Sequence, residues 1–311
     1  MLQLIGRDLG LTENVEPRLI VSRTQQRADQ AALEFGFAEG SADFEAVLAR
    51  DDIDVVYIAT PHSLHFDQAM AALSAGKHVL VEKAMTPSAA RTRTLCEFAN
   101  ERGLFLMEAM WTAFNPAIVE LRRRVTAGDI GVVQSVHANF CMGMPYDAGH
   151  RLWVRELAGG STLDQGVYTL SLAHMLLGAP TSISAQGTVL HDVDAEVVAT
   201  LGYDDGRHAV CTNGLISWSP LSAYISGSTG CIQIPAAFWN ADTFLHRRPG
   251  PDLSADVEEF TYEREGRGYV PMLRSVSNAI LDGRTELDQR THAESIAVAT
   301  TMDEVLRLVH G

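Results

Sequence analysis

The sequence lacks the features that mark several classes of protein. Its 311 residues carry a formal net charge of −15 at pH 7, and this acidic balance argues against binding to nucleic acid or to anionic lipid. No apolar run approaches the ~18 residues that a membrane span needs. The first residues, 1–7, do not follow the order of basic start, apolar stretch and cleavage site of a signal peptide. We therefore expect neither a nucleic-acid nor a membrane partner.

The sequence is also poor in cysteine. Its four cysteines stand at positions 96, 141, 211 and 231, and no two have the C-x-x-C spacing of a zinc or redox site. This usage predicts a reducing, cytoplasmic compartment, in which the cysteines serve as small core residues. No cluster of histidine, cysteine and carboxylate residues indicates a metal, so we predict no metal site.

What the first third of the sequence does contain is an alternation of short apolar runs and helical patterns. Strands are predicted at 19–21, 53–59, 79–81 and 104–107, and helices at 25–35, at 63–75 and after Thr86-Pro87, with Thr86 as its N-cap. Such an alternation is typical of βαβ units and a parallel sheet.

From about Val132 the pattern becomes strand after strand, separated by turn signals. Strands are predicted at 132–140, 182–189, 196–203, 208–216, 223–226 and 231–234, and helices at 161–177 and 291–309. We expect an open antiparallel sheet with one face exposed to water. The whole pattern predicts a dinucleotide-binding domain over residues 1–112 and an α+β domain over 113–311, with room for the last helix to pack back on the first domain.

The expected centre of the first domain has no counterpart in this sequence. A doubly wound nucleotide-binding sheet has its first strand in the middle, followed by a glycine-rich turn for the pyrophosphate. Here Leu19–Val21 resembles the second strand, no G-x-G-x-x-G precedes it, and residues 1–10 fit the end of the first helix. We therefore expect an N-terminally truncated Rossmann-type sheet in which two neighbouring strands have unpaired edges.

Two groups of residues could carry chemistry. Glu82 and Lys83 directly follow the strand at 79–81, where ligands of an open α/β sheet bind. Asp164 and Tyr168 are four residues apart and share one face of a predicted helix. On position alone, the first pair is equally compatible with a strand that runs into solvent. The second, taken alone, fits an aspartate in a first helical turn and a half-buried tyrosine somewhat better than a catalytic pair.

Longer motifs around these residues resemble one known family. Residues 59–65 (ATPHSLH) and 76–83 (GKHVLVEK) are similar to T-P-x-x-x-H and G-K-H-V-x-x-E-K-P. Residues 151–155 (RLWVR), 158–160 and 163–168 (LDQGVY) are similar to W-R…A-G-G-G-x-L-x-D-x-G-x-Y. These motifs resemble the glucose–fructose oxidoreductase and inositol dehydrogenase (Gfo/Idh/MocA) family. Residues 105–111 (FLMEAMW) resemble its branch of dimeric dihydrodiol dehydrogenases and NADP-dependent D-xylose dehydrogenases.

The resemblance implies roles for individual residues. Lys83 and Tyr168 would form the catalytic pair and Asp164 their companion. A tyrosine with its ordinary pKa of about 10 ionises more easily beside a cation, so Lys83 would assist Tyr168. Tyr168 would act as general base in oxidation and as general acid in reduction. In place of the family's E-K-P, this sequence has alanine at position 84.

The residues after the second strand indicate the cofactor. An acid there would bind the ribose of NAD, whereas an arginine accommodates the 2′-phosphate of NADP. This sequence has Ser22, Arg23 and Thr24, which favours NADP over NAD, and Ser22 or Thr24 could also cap the following helix. The resemblance adds to the cofactor site Thr60, Pro61, His65, Glu82, Lys83 and Arg155, although His65 fits a structural role equally well. Trp111, Phe114 and Trp153 are expected to wall the substrate pocket, although core packing is the alternative for Trp111 and Phe114.

The sequence thus predicts an NADP(H)-dependent oxidoreductase of the D-xylose 1-dehydrogenase or trans-1,2-dihydrobenzene-1,2-diol dehydrogenase type. It would move hydride between nicotinamide and a secondary alcohol or carbonyl of a small sugar, polyol or trans-dihydrodiol. By analogy with the family we expect a homodimer or homotetramer. The alternative is a catalytically impaired, truncated relative that acts as a binding or oligomer-forming partner. Lys83, Asp164 and Tyr168 count against this alternative, because a decayed site has no need of all three.

Overall fold

The computed structural model describes residues 2–250 and 254–311, with side chains from Ile5 onwards. The first part of the chain alternates helices and short strands: α1 (Leu2–Leu9), β1 (Leu19–Val21), α2 (Gln25–Phe35), β2 (Glu39–Ser41), α3 (Phe44–Leu48), β3 (Val55–Ile58), α4 (His62–Ser74), β4 (His78–Val81), α5 (Ala89–Arg102) and β5 (Leu106–Glu108). The predicted alternation is confirmed, and residues 2–9 form a helix, as the sequence indicated.

The strands of this part form two separate parallel sheets. One contains β1 and β2, and the other has the order β3-β4-β5. Among the described residues no strand pairs with the free edge of β1 or with that of β3, and Val21 and Val55, one on each strand, are each 38% exposed. The two unpaired edges that the sequence predicted are therefore present.

The helix ends of this part follow local capping chemistry. Thr24 caps α2 by accepting the N–H of Arg27, which confirms the capping role proposed for this residue. The prediction that Thr86 caps the next helix is wrong. The cap of α5 is Ser88, whose side chain accepts the N–H of Arg91, while the Thr86 hydroxyl bonds the carbonyl of Ser88. Thr86 and Ser88 are both suitable N-cap residues and lie two positions apart. Only the backbone geometry decides which of them caps the helix.

The second part of the chain is dominated by one large sheet. Its elements are α6 (Pro116–Ala127), β6 (Val133–Cys141), a π-helical turn (Thr162–Gly166) leading into α7 (Val167–Leu177), β7 (Ser182–Leu190), β8 (Val193–Gly202), β9 (His208–Gly214), β10 (Ala223–Gly227), β11 (Cys231–Ile234), β12 (Thr243–Pro249), β13 (Ala255–Thr261), α8 (Val270–Leu281) and α9 (His292–His310).

The sheet has the order β13-β12-β11-β10-β6-β9-β8-β7. Strands β6 and β9 are parallel, whereas the other pairs are antiparallel. The predicted antiparallel sheet is therefore mixed. The reason is that β6 is joined to α7 and the β7–β8 hairpin before β9 returns beside it, and such a crossover brings the two strands side by side in the same direction.

Helices cover one face of this sheet. Helix α7 packs on β6 and β9, and α9 packs on β7 and β8 as well as on α5. The Asp303 carboxylate in α9 accepts the N–H of Ala89 at the start of α5. On the opposite face Val198 and Tyr224 are 41% and 42% exposed, as expected for a sheet with one open face. The boundary between residues 112 and 113 stays a prediction.

Several elements have weak sequence signals. The β12–β13 hairpin is charged, and Arg248 of β12 pairs with Asp256 and Glu258 of β13. Strand β13 is almost wholly exposed, so it lacks the apolar alternation that identifies a half-buried strand. The short elements β2 and α3 were also missed, because three to five residues offer no period to count.

Candidate active site

The side chains of Lys83, Asp164 and Tyr168 lie together between the two parts of the chain. Lys83 follows β4 at the carboxyl edge of its sheet, and Asp164 lies in the π-helical turn that precedes α7. The Lys83 ammonium donates to the side chain of Asp164 at 2.9 Å and to its main-chain carbonyl at 2.8 Å. The same ammonium lies 4.9 Å from the centre of the Tyr168 ring. Sequence positions 81 and 85 residues apart are thus brought into one cluster.

The π-helical turn is the local feature that makes this arrangement. π-Helical turns inside helices are rare and are frequently found at functional sites. Buried polar groups hold this one in place: the Asp194 carboxylate accepts the N–H of Thr162 at 2.6 Å and the hydroxyl of Ser161 at 3.1 Å. The Gln165 side chain accepts the N–H of Gly214 at 3.0 Å and so ties the turn to β9. The turn is therefore anchored on the large sheet.

Arg151 is a member of the cluster that the sequence motif contained but did not assign. Its guanidinium donates to Asp164 at 2.9 Å, to the same oxygen that Lys83 contacts. The two cations outweigh the effect of burial and hold the pKa of Asp164 well below its usual range. Burial lowers the pKa of Lys83, but Asp164, Tyr168 and Glu82 together outweigh burial, so the pKa is raised. Lys83 and Asp164 are consequently both charged near neutral pH.

The Tyr168 hydroxyl is bound on one side and has a proton to donate. The indole N–H of Trp111 donates to the Tyr168 oxygen at 2.9 Å. Burial raises the pKa of Tyr168 to about 12, although Lys83 and the bond from Trp111 act in the opposite direction. Lys83 therefore assists ionisation of this phenol, as the sequence suggested, but burial has the larger effect. The neutral phenol is the resting form.

Aromatic rings pack around the Tyr168 side chain. The Trp111 ring stacks on Tyr269 with centroids 4.6 Å apart. Phe140 and Trp239 stack at 3.6 Å, and their centroids lie 5.7 and 6.2 Å from that of Tyr168. Trp111 was predicted from the sequence; the other three were missed, because they come from three separate elements that only the fold assembles.

Four further predicted residues lie near the carboxyl ends of β3 and β4, namely Thr60, Pro61, His65 and Glu82. His65 is fully buried and lies 2.9 Å from the carbonyl of Thr60 and 2.9 Å from that of Ala84. Pro61 precedes the first residue of α4, and no side chain caps that helix. The buried Glu82 carboxylate accepts a hydrogen bond from Tyr57. Burial raises the pKa of Glu82.

The segment after β1 differs from this buried cluster. Arg23 and Thr24 are exposed and Ser22 is half-buried. Within residues 2–250 and 254–311, Arg23 takes part in no ion pair or side-chain hydrogen bond of the structure. An exposed arginine without a partner, at the carboxyl end of a strand, is available to an anionic ligand.

Among the described residues, Phe114, Trp153 and Arg155 form neither a hydrogen bond nor a ring contact with Tyr168. Phe114 is 4% exposed and belongs to the main apolar core. Trp153 packs in a smaller cluster with Leu152, Val193, Ala195 and Leu215. Arg155 is exposed, and no ion pair of the described residues includes it. Their predicted roles stay predictions.

Two absences complete the description of the site. Among the described residues no three histidine, cysteine or acidic side chains are grouped so that they could hold a metal ion. Across the same ranges no helix is long and apolar enough to cross a membrane.

Several known oxidoreductases are similar to this chain over most of its length. The D-xylose 1-dehydrogenase (NADP(+)) 2 of Haloferax volcanii is 32% identical over 93% of this chain and 88% of its own length. The trans-1,2-dihydrobenzene-1,2-diol dehydrogenase of Xenopus laevis is 30% identical over 92% of this chain and 88% of its own. A 3-ketoreductase of Actinomadura kijaniata, solved with NADP and TDP-benzene, superimposes with a TM-score of 0.86 at 28% identity and covers 98% of this chain and 93% of that one.

Family models match both parts of the chain. Residues 7–110 match the oxidoreductase family with an NAD-binding Rossmann fold, and residues 118–233 match the C-terminal domain of the same family. Together they cover more than half of the chain, in the order that the fold requires. The chain belongs to the GFO/IDH/MocA family of oxidoreductases.

Proposed function

We propose that this protein is an NADP(H)-dependent oxidoreductase that interconverts a secondary alcohol and a carbonyl on a small sugar, polyol or trans-dihydrodiol. The observation that carries the proposal is the cluster of Lys83, Asp164 and Tyr168, in which a phenol with a free proton lies beside a paired ammonium. The curated relatives, named as D-xylose, dihydrodiol and scyllo-inositol dehydrogenases, support the class of substrate.

The residues present fit the 2′-phosphate and the nicotinamide end of an NADP molecule, but not its pyrophosphate. Arg23, with Ser22 and Thr24, offers an unpaired cation and hydroxyls for the 2′-phosphate. The uncapped amides that begin α4 after Pro61, with Thr60, His65 and Glu82, lie at the sheet edge near Lys83 and would face the nicotinamide end. A glycine-rich turn for the pyrophosphate does not occur among the described residues. Bound NADP would supply the hydride acceptor.

The proton chemistry follows from the chain's own residues. In oxidation the substrate hydroxyl must lose its proton as the C–H bond breaks, and the Tyr168 oxygen is the group that would take it. Lys83 favours the phenolate electrostatically, and the Trp111 N–H stabilises the same oxygen by a hydrogen bond. In reduction the resting phenol donates its proton to the developing alkoxide. Asp164 keeps the Lys83 ammonium charged and in place.

The aromatic rings set the kind of substrate surface that the site accepts. The half-buried Trp239 ring, which stacks on Phe140 beside Tyr168, would offer an apolar face to the substrate. Such faces bind the apolar side of a sugar ring or the face of a cyclic dihydrodiol, while Arg151 and Asp164 are polar partners for its hydroxyls.

Two further proposals concern the protein's setting. We propose a homodimer or homotetramer joined through the open face of the large sheet, where Val198 and Tyr224 are exposed. We also propose a cytoplasmic location, which the four free cysteines support. Analytical ultracentrifugation of the wild type and of Tyr224→Arg would test the first, since a charge in a sheet interface would give monomers.

An alternative role as a catalytically impaired binding partner is favoured by one observation, the unpaired edges of β1 and β3. The test that separates the two is turnover. The purified chain is assayed with NADP and a panel of D-xylose, inositols and trans-dihydrodiols, beside Lys83→Met. Turnover that the variant loses supports the dehydrogenase. A folded wild type without activity on any member would favour the binding role.

A further inference from the structure

The backbone around Lys83 is bound by side chains from two other elements, α4 and β5. The carbonyl of Lys83 lies 3.2 Å from the His62 ring, and that of Ala84 lies 2.9 Å from the His65 ring. The N–H of Met85 donates to the carboxylate of Glu108 at 2.8 Å. The polar groups on both sides of the catalytic segment are therefore fixed by residues that do not touch Tyr168.

Glu108 has an unusual environment for a carboxylate. It is 2% exposed at the end of β5, and Arg290, which is 5% exposed, forms an ion pair with it. The Ser295 hydroxyl donates to the same carboxylate at 3.2 Å. Arg290 lies two residues before α9 and Ser295 lies in its first turn, so these contacts join the start of α9 to the segment after β4.

The two carboxylate oxygens have separate partners. Both contacts from Arg290 and the one from Ser295 go to Oε2, whereas Oε1 accepts the Met85 N–H. Arginine–carboxylate pairs frequently use both oxygens for the fork of the arginine. Here one oxygen is held by the arginine and the other is reserved for the main chain two residues after Lys83.

We propose that Glu108, fixed by Arg290, is a positioning residue that sets where the Lys83 ammonium stands relative to Asp164 and Tyr168. The proposal rests on the proposed function for its consequence in turnover. The Lys83 ammonium contacts two oxygens of Asp164 at 2.8 and 2.9 Å and lies 4.9 Å from the Tyr168 ring centre. Misplacement of a catalytic group by about 1 Å can cost about 10²-fold in rate.

The test compares two double variants that both remove the buried charges. Glu108→Gln with Arg290→Gln keeps an acceptor oxygen for the Met85 N–H. Glu108→Met with Arg290→Met has a similar volume but no acceptor. Neither leaves an unpaired buried charge, so the difference between them reports the bond to Met85. Glu120→Gln with Arg124→Met removes a partly buried ion pair of α6 and serves as a remote control.

The sequence offers a readout that does not depend on activity. The chain has only two lysines, Lys77 and Lys83. Protein labelled with ¹³C at the lysine ε-carbon therefore gives two side-chain signals. Lys77 donates to the carbonyl of Arg50 at 2.6 Å and is an internal control. A change confined to the Lys83 signal reports its displacement.

We expect the glutamine pair to keep the wild-type Lys83 signal and a kcat within about threefold of the wild type. The methionine pair should move the Lys83 signal and leave that of Lys77, lower kcat about 10- to 100-fold and change KM less than threefold. The pH profile of its oxidation rate should also shift to higher pH, since a displaced Lys83 stabilises the Tyr168 phenolate less.

An unmoved Lys83 signal in the folded methionine pair, or equal movement in both pairs, would overturn the proposal. If the methionine pair does not fold, Glu108→Asp replaces it, because the shorter side chain keeps the charge opposite Arg290 and withdraws its oxygens from the Met85 N–H. Movement of the Lys83 signal then supports the proposal, and an unchanged signal refutes it. If the wild type turns over no alcohol, the proposed function fails, and the lysine signals still decide whether Glu108 positions Lys83.

Discussion

The two ends of the candidate site differ in how far the chain alone organises them. At the proton-transfer end Lys83 and Tyr168 are 7% and 6% exposed, and Asp164 is bound by two cations. At the cofactor end Arg23 is exposed after β1, which has one unpaired edge. The Lys83, Asp164 and Tyr168 side chains are thus held by contacts within the chain, whereas Arg23 has no such contact among the described residues and, in the proposed function, would meet the 2′-phosphate.

The large sheet and the two small sheets differ in how completely their strands are paired. Strand β6 is paired on both sides, by β9 and β10, and α7 packs on it. Strands β1 and β3 each have a neighbour on one side only among the described residues. Asp164 and Tyr168 are therefore anchored to the large sheet, and Lys83 follows β4, which is also paired on both sides. Changes among these residues should affect rate. Changes near β1 should affect binding.

The largest effect is expected at the preorganised end. Tyr168→Phe removes the hydroxyl that exchanges the proton and should lower kcat by about 10²- to 10⁴-fold, while the affinity for NADPH stays within about threefold. Steady-state kinetics and a binding titration measure the two. Tyr203→Phe, another buried tyrosine whose hydroxyl bonds the carbonyl of Gly178, is the matched control. Turnover near the wild-type rate in Tyr168→Phe would remove its role.

The next effect is expected at the exposed end. Arg23→Ala should weaken binding of NADPH about 10- to 100-fold, because a charge-assisted hydrogen bond contributes about 1.5–3 kcal/mol. Binding of NADH, which has no 2′-phosphate, should change little. Arg93→Ala, at an exposed arginine of α5, controls for the loss of positive charge. An equal loss for both cofactors would contradict the assignment.

The sequence predicted those features that depend on local motifs, and not those that depend on the pairing of distant elements. The positions of Lys83, Asp164 and Tyr168 could be predicted, because their motifs are local and match a family in order along the chain. Arg151 lay inside a quoted motif, yet nothing local indicated that its side chain reaches Asp164. Trp239 was beyond prediction, because only the pairing of distant strands brings its ring beside Tyr168. The parallel pairing of β6 and β9 likewise depends on topology and not on periodicity.

A third prediction concerns how the rates of oxidation and reduction depend on pH. Because burial raises the pKa of Tyr168 to about 12, the phenolate needed for oxidation should grow about tenfold per pH unit below that value. The rate of oxidation should rise accordingly from pH 7 to 9. The rate of reduction, which uses the phenol, should stay nearly constant. Trp111→Phe should lower the oxidation rate further. A pH-independent oxidation step would contradict the role of Tyr168.

The smallest effect concerns stability. Burial lowers the pKa of His62 to about 3, so the ring stays neutral in the fold. In the unfolded chain it takes up a proton near its ordinary pKa of about 6.5. The free energy of unfolding should therefore fall as the pH drops from about 6.5 towards 3. The equilibrium constant for folding should fall by up to about tenfold per pH unit. Urea unfolding at pH 7, 6 and 5 measures this; His62→Gln should flatten the dependence, and an unchanged slope would contradict it.

The central claim is that this chain combines a preorganised proton-transfer site with a binding site for NADP. The most direct measurement is a titration of the chain with NADPH and, separately, with NADH, followed by the fluorescence of its four tryptophans. The account predicts binding of NADPH at about 1 μM, near −8 kcal/mol, and weaker binding of NADH. A folded chain that binds neither cofactor, or that prefers NADH, would contradict it.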